Sequence, residues 1–286
     1  MEIYSQITEL RKALNLHRQN KHKIGFVPTM GNLHAGHLSL IDAARKNCDI
    51  VIASIFVNPT QFGPNEDLEK YPRTLEQDCK KLLKHQTDIL FTPAEADIYP
   101  NGRSQTKVSV PHITNQLCGA SRPGHFDGVS TIVTKLFNII QPDLAVFGQK
   151  DFQQLAVIRQ MVIDLNLPIE IQGIATGREH DGLAMSSRNN FLTDKERQIA
   201  PELHKTLKRL KAALLEGDNN YANMCRQHSK LLENQGFSVD YLEICDATSL
   251  TRADAKTRNA VILCAAKLGN TRLIDNLMMV LKASTD

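Results

Sequence analysis

Two histidines, His34 and His37, stand three residues apart in the segment PTMGNLHAGH, residues 28–37, with Gly31 and Gly36 beside them. An apolar run precedes the segment and a helix-like stretch follows it, so both imidazoles are predicted where a parallel strand gives way to a helix. Unpaired backbone N–H groups and the helix dipole favour an anion there, and the glycines admit a phosphate close to the backbone. The segment predicts a nucleotide-phosphate site.

The same segment allows two other interpretations. The histidines could form a metal pair, but zinc would want a third protein ligand, and no HExxH or CxxC pattern supplies one. They could also pack at a helix start in an ordinary structural turn, which this segment alone does not distinguish from a phosphate site. The other polar segments of the chain must decide between them.

Neutral amides follow a second apolar run, in VNPTQFG, residues 57–63. Asn58 and Gln61 can each donate and accept hydrogen bonds, which suits a hydroxy-acid substrate. Taken alone, an Asn-Pro turn with a nearby glutamine is also ordinary loop chemistry.

A lysine and an aspartate begin a later helix, in VFGQKDFQQ, residues 146–154, where Gly148 opens the turn. Lys150 brings a compact positive charge suited to a phosphate. Asp151 can fix that ammonium, hold a metal through water, or simply cap the helix. Gln154 lies one turn further on.

Two hydroxyls and a guanidinium follow one another in GLAMSSRNNFL, residues 182–192. Ser186, Ser187 and Arg188 can surround phosphate oxygens and neutralise the charge that grows in a transition state. A Ser-Ser-Arg turn with no ligand is the alternative.

The elements that must position these residues alternate between strand and helix. The strand-like runs are apolar and rich in β-branched residues, as in strands covered on both faces, and helical periodicity separates them. This alternation predicts a parallel, doubly wound α/β sheet. The predicted strands span residues 24–27, 49–57, 88–91, 143–148 and 169–175.

Local signals add four expectations. Ser5 is a candidate N-cap for a helix over residues 5–19, and Thr74 with Gln77 predicts a capping box for a helix through about Lys84. Within an otherwise loop-like region, KVSV, residues 107–110, could add a strand. The segment SRPGHFDGV, residues 121–129, contributes Arg122 and His125 to a loop that could cover the site.

The pattern changes after about residue 176. Thr193 and Glu196 predict a second capping box and a long helix to about Leu215, ended by Gly217. A further helix extends to about Gln235. Strand-like runs then predict a small, mostly antiparallel sheet, with a Gly269-Asn270 turn. These runs cover residues 237–245, 260–267 and 271–280.

Composition narrows the class of protein. The 286 residues suit one large or two ordinary domains, and 42% hydrophobic with 23% charged residues is typical of a soluble globular protein. A net charge of +3 is too small to predict nucleic-acid binding. Six cysteines, no two closer than nineteen residues, form no disulfide or zinc pattern and indicate a reduced compartment. The N-terminus does not resemble a signal peptide and the apolar runs are too short to cross a bilayer, so we expect a cytoplasmic protein.

Other catalytic motifs are absent from the sequence. No GxSxG surrounds any serine, no GxxxxGK[ST] phosphate loop occurs, and no GxGxxG follows the first predicted strand. These absences disfavour a serine hydrolase, a P-loop enzyme and a dinucleotide oxidoreductase.

Five segments together resemble one family. In order, PTMGNLHAGH, VNPTQFG, YPRT, VFGQKDFQQ and GLAMSSRNNFL resemble the motifs of the pantoate–β-alanine ligase family, the pantothenate synthetases. The HxGH element alone is similar only to the wider HIGH-motif nucleotidyltransferase superfamily. The resemblance extends from about residue 20 to 195 and is weaker over the C-terminal third.

The resemblance implies a Rossmann-like domain over residues 1–176 that binds nucleotide and pantoate, a smaller lid domain over residues 177–286, and a homodimer. It implies condensation of pantoate with β-alanine to pantothenate, with ATP and Mg²⁺ and through a pantoyl-adenylate, releasing AMP and pyrophosphate. No nucleic acid or membrane partner is implied.

The resemblance also implies residue roles. His34 and His37 would lie on the ATP phosphates, with His37 as proton donor, and the last motif is similar to the superfamily's KMSKS element. The candidate catalytic residues are His34, His37, Lys150, Ser187 and Arg188. The candidate substrate-binding residues are Asn58, Gln61 and Gln154, and no metal ligand is assigned. The candidate ATP-binding residues are Met30, Gly31, Asn32, Leu33, His34, Ala35, Gly36, His37, Gly148, Gln149, Lys150, Asp151, Gly177, Met185, Ser186, Ser187 and Arg188.

One segment departs from the family pattern. Where the family usually has PTVRE, this chain has ATGRE, residues 175–179, so Gly177 replaces a valine. A backbone contact with adenine can survive this change, but the apolar wall is lost.

Two other functional classes are compatible with HxGH. One is a nucleotidyltransferase that retains the nucleotidyl group in its product. The other is a nucleotide-sensing module without turnover.

Overall fold

The computed structural model describes residues 1–64, 66, 68–103 and 106–281. The chain divides into two compact units. The first contains residues 1–149 and 154–175, and the second contains residues 150–153 and the chain from residue 176 onward.

A six-stranded sheet forms the centre of the first unit, and every strand pairing described in it is parallel. Its spatial order is β1-β4-β3-β2-β5-β6. This arrangement confirms the predicted parallel α/β sheet, although β1 was not predicted. The strands are β1 Glu2–Tyr4, β2 Ile24–Thr29, β3 Ile50–Ile55, β4 Ile89–Phe91, β5 Leu144–Gly148 and β6 Glu170–Ile174.

Helices accompany these strands in the first unit. The central strands are buried, as expected for strands covered on both faces, and the first five residues of β3 are all buried. Helix α7 presents a long buried stripe that includes Val129, Val133 and Phe137. The helices are α1 Ile7–Gln19, α2 Ala35–Asn47, α3 Leu75–Lys84, α4 Glu95–Ile98, α5 Pro111–Thr114, α6 Cys118–Ser121, α7 His125–Ile140 and α8 Phe152–Asp164.

Two predicted helix caps differ in the structure. Gln6 rather than Ser5 is the N-cap of α1, and its side chain makes no capping hydrogen bond. Thr74 is the N-cap of α3, but the predicted capping box with Gln77 is wrong. The Thr74 hydroxyl, which a capping box would use as an acceptor, donates instead to the carboxylate of Asp78 at 3.0 Å.

The strand predicted for residues 107–110 is also wrong, because this segment has no regular secondary structure. The Val108 N–H donates to the Thr131 hydroxyl of α7 at 2.9 Å, and the Ser130 hydroxyl donates to the Val108 carbonyl. Side chains of α7 thus satisfy backbone groups that a neighbouring strand would have paired. The short helix α4 lies in the region predicted as loop, and the short helices α5 and α6 lie where no helix was predicted.

An antiparallel sheet of three strands packs with three helices in the described part of the second unit, and this confirms the predicted small sheet. Gly269, at φ +56°, turns β8 into β9. Apolar side chains of α10, including Leu203, Leu207 and Leu210, pack with the sheet residues in one core. The elements are α9 Asp194–Ile199, α10 Glu202–Glu216, α11 Tyr221–Asn234, β7 Phe237–Asp246, β8 Asn259–Leu268 and β9 Thr271–Val280.

The single long helix predicted after Thr193 is divided into α9 and α10. The capping box itself is confirmed, since the Thr193 N–H donates to the Glu196 carboxylate and the Glu196 N–H donates to the Thr193 hydroxyl. Pro201 has no N–H to donate to the carbonyl four residues earlier, so the helix is interrupted there. Gly217 ends α10 in the left-handed conformation, as predicted.

No helix in the described part of the chain combines the length and the apolarity that a membrane span requires.

Candidate active site

The order in which strands are added to the sheet reverses between two neighbouring parallel strands, β2 and β5. From β2 the sheet grows on one side through β3 and β4, and from β5 it grows on the other side to β6. In parallel α/β sheets, ligands bind at such a switch point, beyond the carboxyl ends of the strands. Residues 30–37 follow the end of β2, and Gly148 ends β5, so two predicted ATP segments begin at this point.

A sharp turn follows β2, with Gly31 at φ +83° and Asn32 at φ +50°. The fully buried carboxylate of Asp78 in α3 accepts hydrogen bonds from the backbone N–H groups of Asn32 and Leu33, each at 2.8 Å. The Lys81 ammonium donates to the Leu33 carbonyl at 2.6 Å. Helix α3 therefore holds the turn by bonding the N–H groups of Asn32 and Leu33 and the carbonyl of Leu33.

The two imidazoles cap α2 reciprocally. The His34 Nδ1 accepts from the Gly36 N–H at 3.2 Å, and the His37 Nδ1 accepts from the His34 N–H at 3.4 Å. The ring centroids lie 4.1 Å apart. Because each Nδ1 accepts, a neutral ring carries its proton on Nε2, where it is a donor suited to a phosphate oxygen.

The two predicted amides contact each other. The Asn58 side chain donates to the Gln61 Oε1 at 3.1 Å, and its own oxygen accepts from the hydroxyls of Thr60 at 2.9 Å and Tyr99 at 2.7 Å. Asn58 is only 1% exposed. The Gln61 Nε2 lies 3.1 Å from the sulfur of Met30, which connects this loop to the turn after β2. Asn58 thus fixes the orientation of the Gln61 carboxamide.

A chain of polar contacts supports Gln61 from its other side. The His125 Nδ1 donates to the Gln61 carbonyl at 2.7 Å, and Arg122 donates to the His125 Nε2 at 3.0 Å. Arg122 forms a bidentate pair with Glu66, at 2.7 and 2.5 Å. Burial opposes ionisation of Glu66, but the hydrogen bonds and charge of Arg122 hold its pKa below the ordinary value. Arg122 and His125 therefore support Gln61.

The end of β5 is open to close approach. A Cβ on Gly148 would meet no heavy atom within 4 Å, and Gln149 begins the 3₁₀ turn Gln149–Asp151 that follows. Further along the chain, Gln154 lies in the first turn of α8 and is partly exposed. In the second unit, the Lys150 ammonium lies 3.9 Å from the Asp151 carboxylate.

A hairpin in the second unit carries the predicted Ser-Ser-Arg loop. The Met185 N–H donates to the Gly177 carbonyl at 2.9 Å, and Arg178 forms an antiparallel bridge with Ala184. The Ser186 hydroxyl then accepts from the Arg188 N–H at 3.2 Å and caps the 3₁₀ turn Ser187–Phe191. Ser186 therefore shapes the turn on which Ser187 and Arg188 lie.

Comparisons with known proteins assign the chain to a family. The profile described as Pantoate-beta-alanine ligase matches residues 2–278. A protein named pantothenate synthetase from Pseudomonas putida (strain GB-1) is 54% identical over 286 residues, covering all of both chains. Another of that name from Azotobacter vinelandii (strain DJ / ATCC BAA-1303) is 54% identical over 95% of this chain and 96% of its own. The chain belongs to the pantoate–β-alanine ligase family.

Solved structures of this ligase family share the fold. A pantothenate synthetase from Thermus thermophilus superposes with a TM-score of 0.91 at 43% identity, covering 97% of this chain and 99% of that one. A pantoate–β-alanine ligase from Francisella tularensis has a TM-score of 0.78 at 36% identity, with 97% of each chain covered. These neighbours confirm the predicted combination of a parallel sheet and a small antiparallel sheet.

The ligase motifs gather into two sets. In the first unit, contacts join Met30, Asn58 and Gln61, and the histidine pair begins α2 directly after the same turn. In the second unit, the hairpin joins Gly177 to Met185. The family assignment supports the resemblance, while the roles of individual residues stay predictions.

Two supporting residues, Asp78 and Tyr99, were not predicted from the sequence. Asp78 shares a helix face with the buried Leu82, four residues later, so its carboxylate faces the core and must find partners there. That spacing was the available signal. Tyr99 follows a short helix in a region predicted as loop, and no pattern around it indicated the contact with Asn58.

Across the residues that the structure describes, no group of three or more histidine, cysteine, aspartate or glutamate side chains could hold a metal ion.

Proposed function

We propose that this protein condenses pantoate with β-alanine to give pantothenate, using ATP and releasing AMP and pyrophosphate. The observation that carries the proposal is the pair of imidazoles, His34 and His37, which cap α2 beside the switch point of the sheet. In a chain of the pantoate–β-alanine ligase family, this anion site is suited to the phosphates of ATP.

The substrates are supported by relatives. The Francisella tularensis ligase was crystallised in complex with "Beta-gamma ATP and Beta-alanine", and the Pseudomonas and Azotobacter relatives carry the name pantothenate synthetase. By this similarity we assign ATP, pantoate and β-alanine as substrates here.

Activation of a carboxylate is the chemical task. A carboxylate is a poor electrophile at neutral pH, and an amine does not displace oxide from it. In the proposed first step, a carboxylate oxygen of pantoate attacks the α-phosphorus of ATP in line. The bond from that phosphorus to the bridging oxygen breaks, and pyrophosphate leaves. The product is pantoyl-adenylate.

The histidine pair stabilises this step. With each Nδ1 occupied by a backbone N–H, the Nε2–H of His34 and His37 can donate to phosphate oxygens, and His37 is assigned as proton donor. The N–H groups at the start of α2 add to the same positive field. Met30 to Leu33 and Ala35 to Gly36 are assigned as the surrounding ATP-binding backbone.

Pantoate is assigned to Gln61 and Gln154. Asn58 fixes the Gln61 carboxamide and is itself buried, so its role in this proposal is to position Gln61. Gln61 and Gln154 offer amides that can bind the hydroxyls and the carboxylate of a hydroxy acid.

Positively charged and hydroxyl groups are assigned to the leaving pyrophosphate. Lys150, Ser187 and Arg188 are assigned to its oxygens, because an ammonium, a hydroxyl and a guanidinium stabilise phosphate charge. Gly148 to Asp151, Gly177 and Met185 to Arg188 complete the assigned ATP contacts. In this proposal, residues 1–176 bind nucleotide and pantoate, and residues 177–286 have the role of a lid.

In the second step, the neutral amine of β-alanine attacks the acyl carbon of the adenylate. The bond between that carbon and the adenylate oxygen breaks, and AMP leaves with one oxygen of the original carboxylate. The amine nitrogen loses one proton as the amide forms, and the products are pantothenate, AMP and that proton.

Magnesium enters the proposal as part of the substrate, MgATP. Mg²⁺ usually keeps several waters and binds through one or two carboxylates together with substrate phosphates. Asp151, whose side chain is half exposed beside Lys150, is a carboxylate of this kind. We also propose a homodimer, from the family resemblance, and a cytoplasmic location, from the cysteine spacing.

Product analysis with ATP, pantoate and β-alanine tests the proposal. A ligase forms AMP and pantothenate only when both pantoate and β-alanine are present with ATP. A nucleotidyltransferase leaves a stable nucleotidyl product, and a nucleotide sensor forms neither. Either of the last two results would reject the proposed function.

A further inference from the structure

Two adjacent residues of β9, Asp275 and Asn276, contact the second unit at two places: Arg178, in the hairpin that leads to the Ser-Ser-Arg loop, and the backbone of Lys150. The Asp275 side chain is 1% exposed, and it accepts a bidentate pair from Arg178 at 2.7 and 2.9 Å. The His204 Nδ1 donates to the same carboxylate at 3.1 Å. Asp275 is therefore a buried acceptor shared by two basic side chains.

This carboxylate is ionised in the folded protein. Burial disfavours its charge, but hydrogen bonds from His204 and Arg178, together with the charge of Arg178, hold the pKa of Asp275 below its ordinary value. A buried carboxylate that loses such partners is costly, so the geometry of the cluster is strongly constrained.

Arg178 links the buried Asp275 to the hairpin that precedes the Ser-Ser-Arg loop. Besides Asp275, its guanidinium donates to the carbonyls of Gly182 at 3.1 Å and Asn276 at 3.4 Å. The hairpin is closed by the contact from the Met185 N–H to the Gly177 carbonyl, and Ser186 follows at once. The contacts of Arg178 with Asp275 therefore hold the hairpin segment that leads to Arg188.

Asn276 makes the second connection. Its side-chain amide donates to the backbone carbonyl of Lys150 at 2.9 Å, within the same unit. Asn276 is 5% exposed, and its own backbone N–H donates to Asp275 at 2.7 Å. The backbone that carries the Lys150 ammonium is therefore attached to the same point of β9.

We propose that Asp275 and Asn276 are positioning residues for phosphate binding: Asp275 acts through Arg178 on the Ser186–Arg188 loop, and Asn276 acts through Lys150. This inference rests on the proposed ATP-dependent function. It gives a role to the buried Asp-Asn pair at the centre of β9.

The first experiment compares two aspartates of the same sheet. Asp275→Asn should lower kcat/KM for ATP in pantoyl-adenylate formation by about 10²-fold, as expected when a charged group is displaced by about an ångström, with little change in the pantoate KM. The matched control is Asp240→Asn, which removes a partner of Arg272 at 2.7 Å. Asp240→Asn should leave the ATP kinetics unchanged, whatever its effect on melting temperature.

Arg178→Lys serves where Asp275→Asn does not fold. Lysine keeps a positive charge beside Asp275 but loses the planar arrangement that reaches the carbonyls of Gly182 and Asn276. It should lower kcat/KM for ATP while the protein stays folded.

A double-mutant cycle tests Asn276. Asn276→Ala alone should lower kcat/KM for ATP about tenfold, and the double variant with Lys150→Ala should be no worse than Lys150→Ala within about twofold. Additive losses would mean that Asn276 affects ATP turnover independently of Lys150, and an unchanged kcat/KM in folded Asn276→Ala would leave it only a stabilising role.

The outcomes separate the inference from the proposed function. If wild type forms no AMP, the proposed function fails, and calorimetric binding of ATP to the same variants then decides the positioning claim. Equal ATP kinetics or ATP affinity for wild type and folded Asp275→Asn or Arg178→Lys, or an additive cycle at Asn276, would overturn the inference.

Discussion

The buried carboxylate of Asp78 accepts the backbone N–H of Asn32 at 2.8 Å and so holds a non-glycine residue in the left-handed conformation. The same carboxylate accepts the N–H of Leu33, two residues before the histidine-capped helix begins. A residue of α3 thus sets the backbone from which His34 and His37 extend.

Asp78→Asn should weaken both stability and adenylation. An amide is nearly the same size, but its NH₂ group faces backbone donors and the charge-assisted hydrogen bonds are lost. We expect a loss of about 1–3 kcal/mol in the free energy of unfolding and a lower kcat for adenylate formation. Urea unfolding and a pyrophosphate-release assay measure the two effects.

The control for Asp78 is Glu76→Gln in the same helix. The Glu76 side chain is 85% exposed and pairs only with Lys80 among the ion pairs of α3 that the structure describes, so its loss should change neither quantity appreciably. If the two variants behave alike, Asp78 does not hold the turn.

His37→Ala should slow pantoyl-adenylate formation by about 10²-fold or more, as expected for loss of a general acid or charge stabiliser. Single-turnover measurement of adenylate formation checks it. His37→Asn is the matched variant, because its side-chain oxygen can still accept the His34 N–H but supplies no comparable acid. Unchanged single-turnover rates in His37→Ala would reject the role, and full recovery in His37→Asn would reduce it to helix capping.

Gln154→Ala should raise the KM for pantoate more than the KM for ATP, because its partly exposed amide is assigned to the hydroxy acid. Steady-state kinetics with each substrate varied in turn measures the difference. Gln160→Ala on the same helix removes a glutamine that bonds Asp164, and should change neither KM. A larger effect on the ATP KM in Gln154→Ala would reject the pantoate assignment.

The contribution of Asp275 to stability should disappear in acid. Its pKa in the folded protein is lowered from the ordinary 3.8, so the stabilisation is present above that value and is lost as pH falls through the folded pKa. The difference in unfolding free energy between wild type and Asp275→Asn should therefore be constant near neutral pH and shrink below the ordinary value of 3.8. Urea unfolding from neutral pH down to about pH 3 measures it, and a constant difference would contradict the ion pair.

Much of the fold could be predicted because long apolar patterns dominate it. The run that forms β3 is almost wholly apolar, and three strands of the small sheet follow one another with a clear Gly269 turn. The predictions failed where a side-chain hydrogen bond or a proline overrides the local hydrophobic pattern. The hydroxyls of Thr131 and Ser130 form hydrogen bonds with the backbone N–H and carbonyl of Val108, where a strand was predicted. Pro201 interrupts a helix whose apolar periodicity continues on both sides of it.

The sequence motifs of the candidate site could be predicted, but the residues that support them could not. The sequence predicts which residues can bind phosphate, since His34, Lys150 and Arg188 stand in characteristic segments. It does not predict their supports, because Asp78 and Asp275 contact partners 46 and 97 residues away. Contacts at such separation depend on packing that no local pattern encodes.

Isotope transfer tests the central claim most directly, because the proposed route moves one carboxylate oxygen of pantoate into AMP. Pantoate labelled with ¹⁸O in its carboxylate is incubated with ATP, β-alanine and the protein, and the products are analysed by mass spectrometry. Activation as pantoyl-adenylate predicts one ¹⁸O atom in AMP and none in pyrophosphate. Unlabelled AMP, or label in inorganic phosphate together with formation of ADP, would contradict the adenylate mechanism.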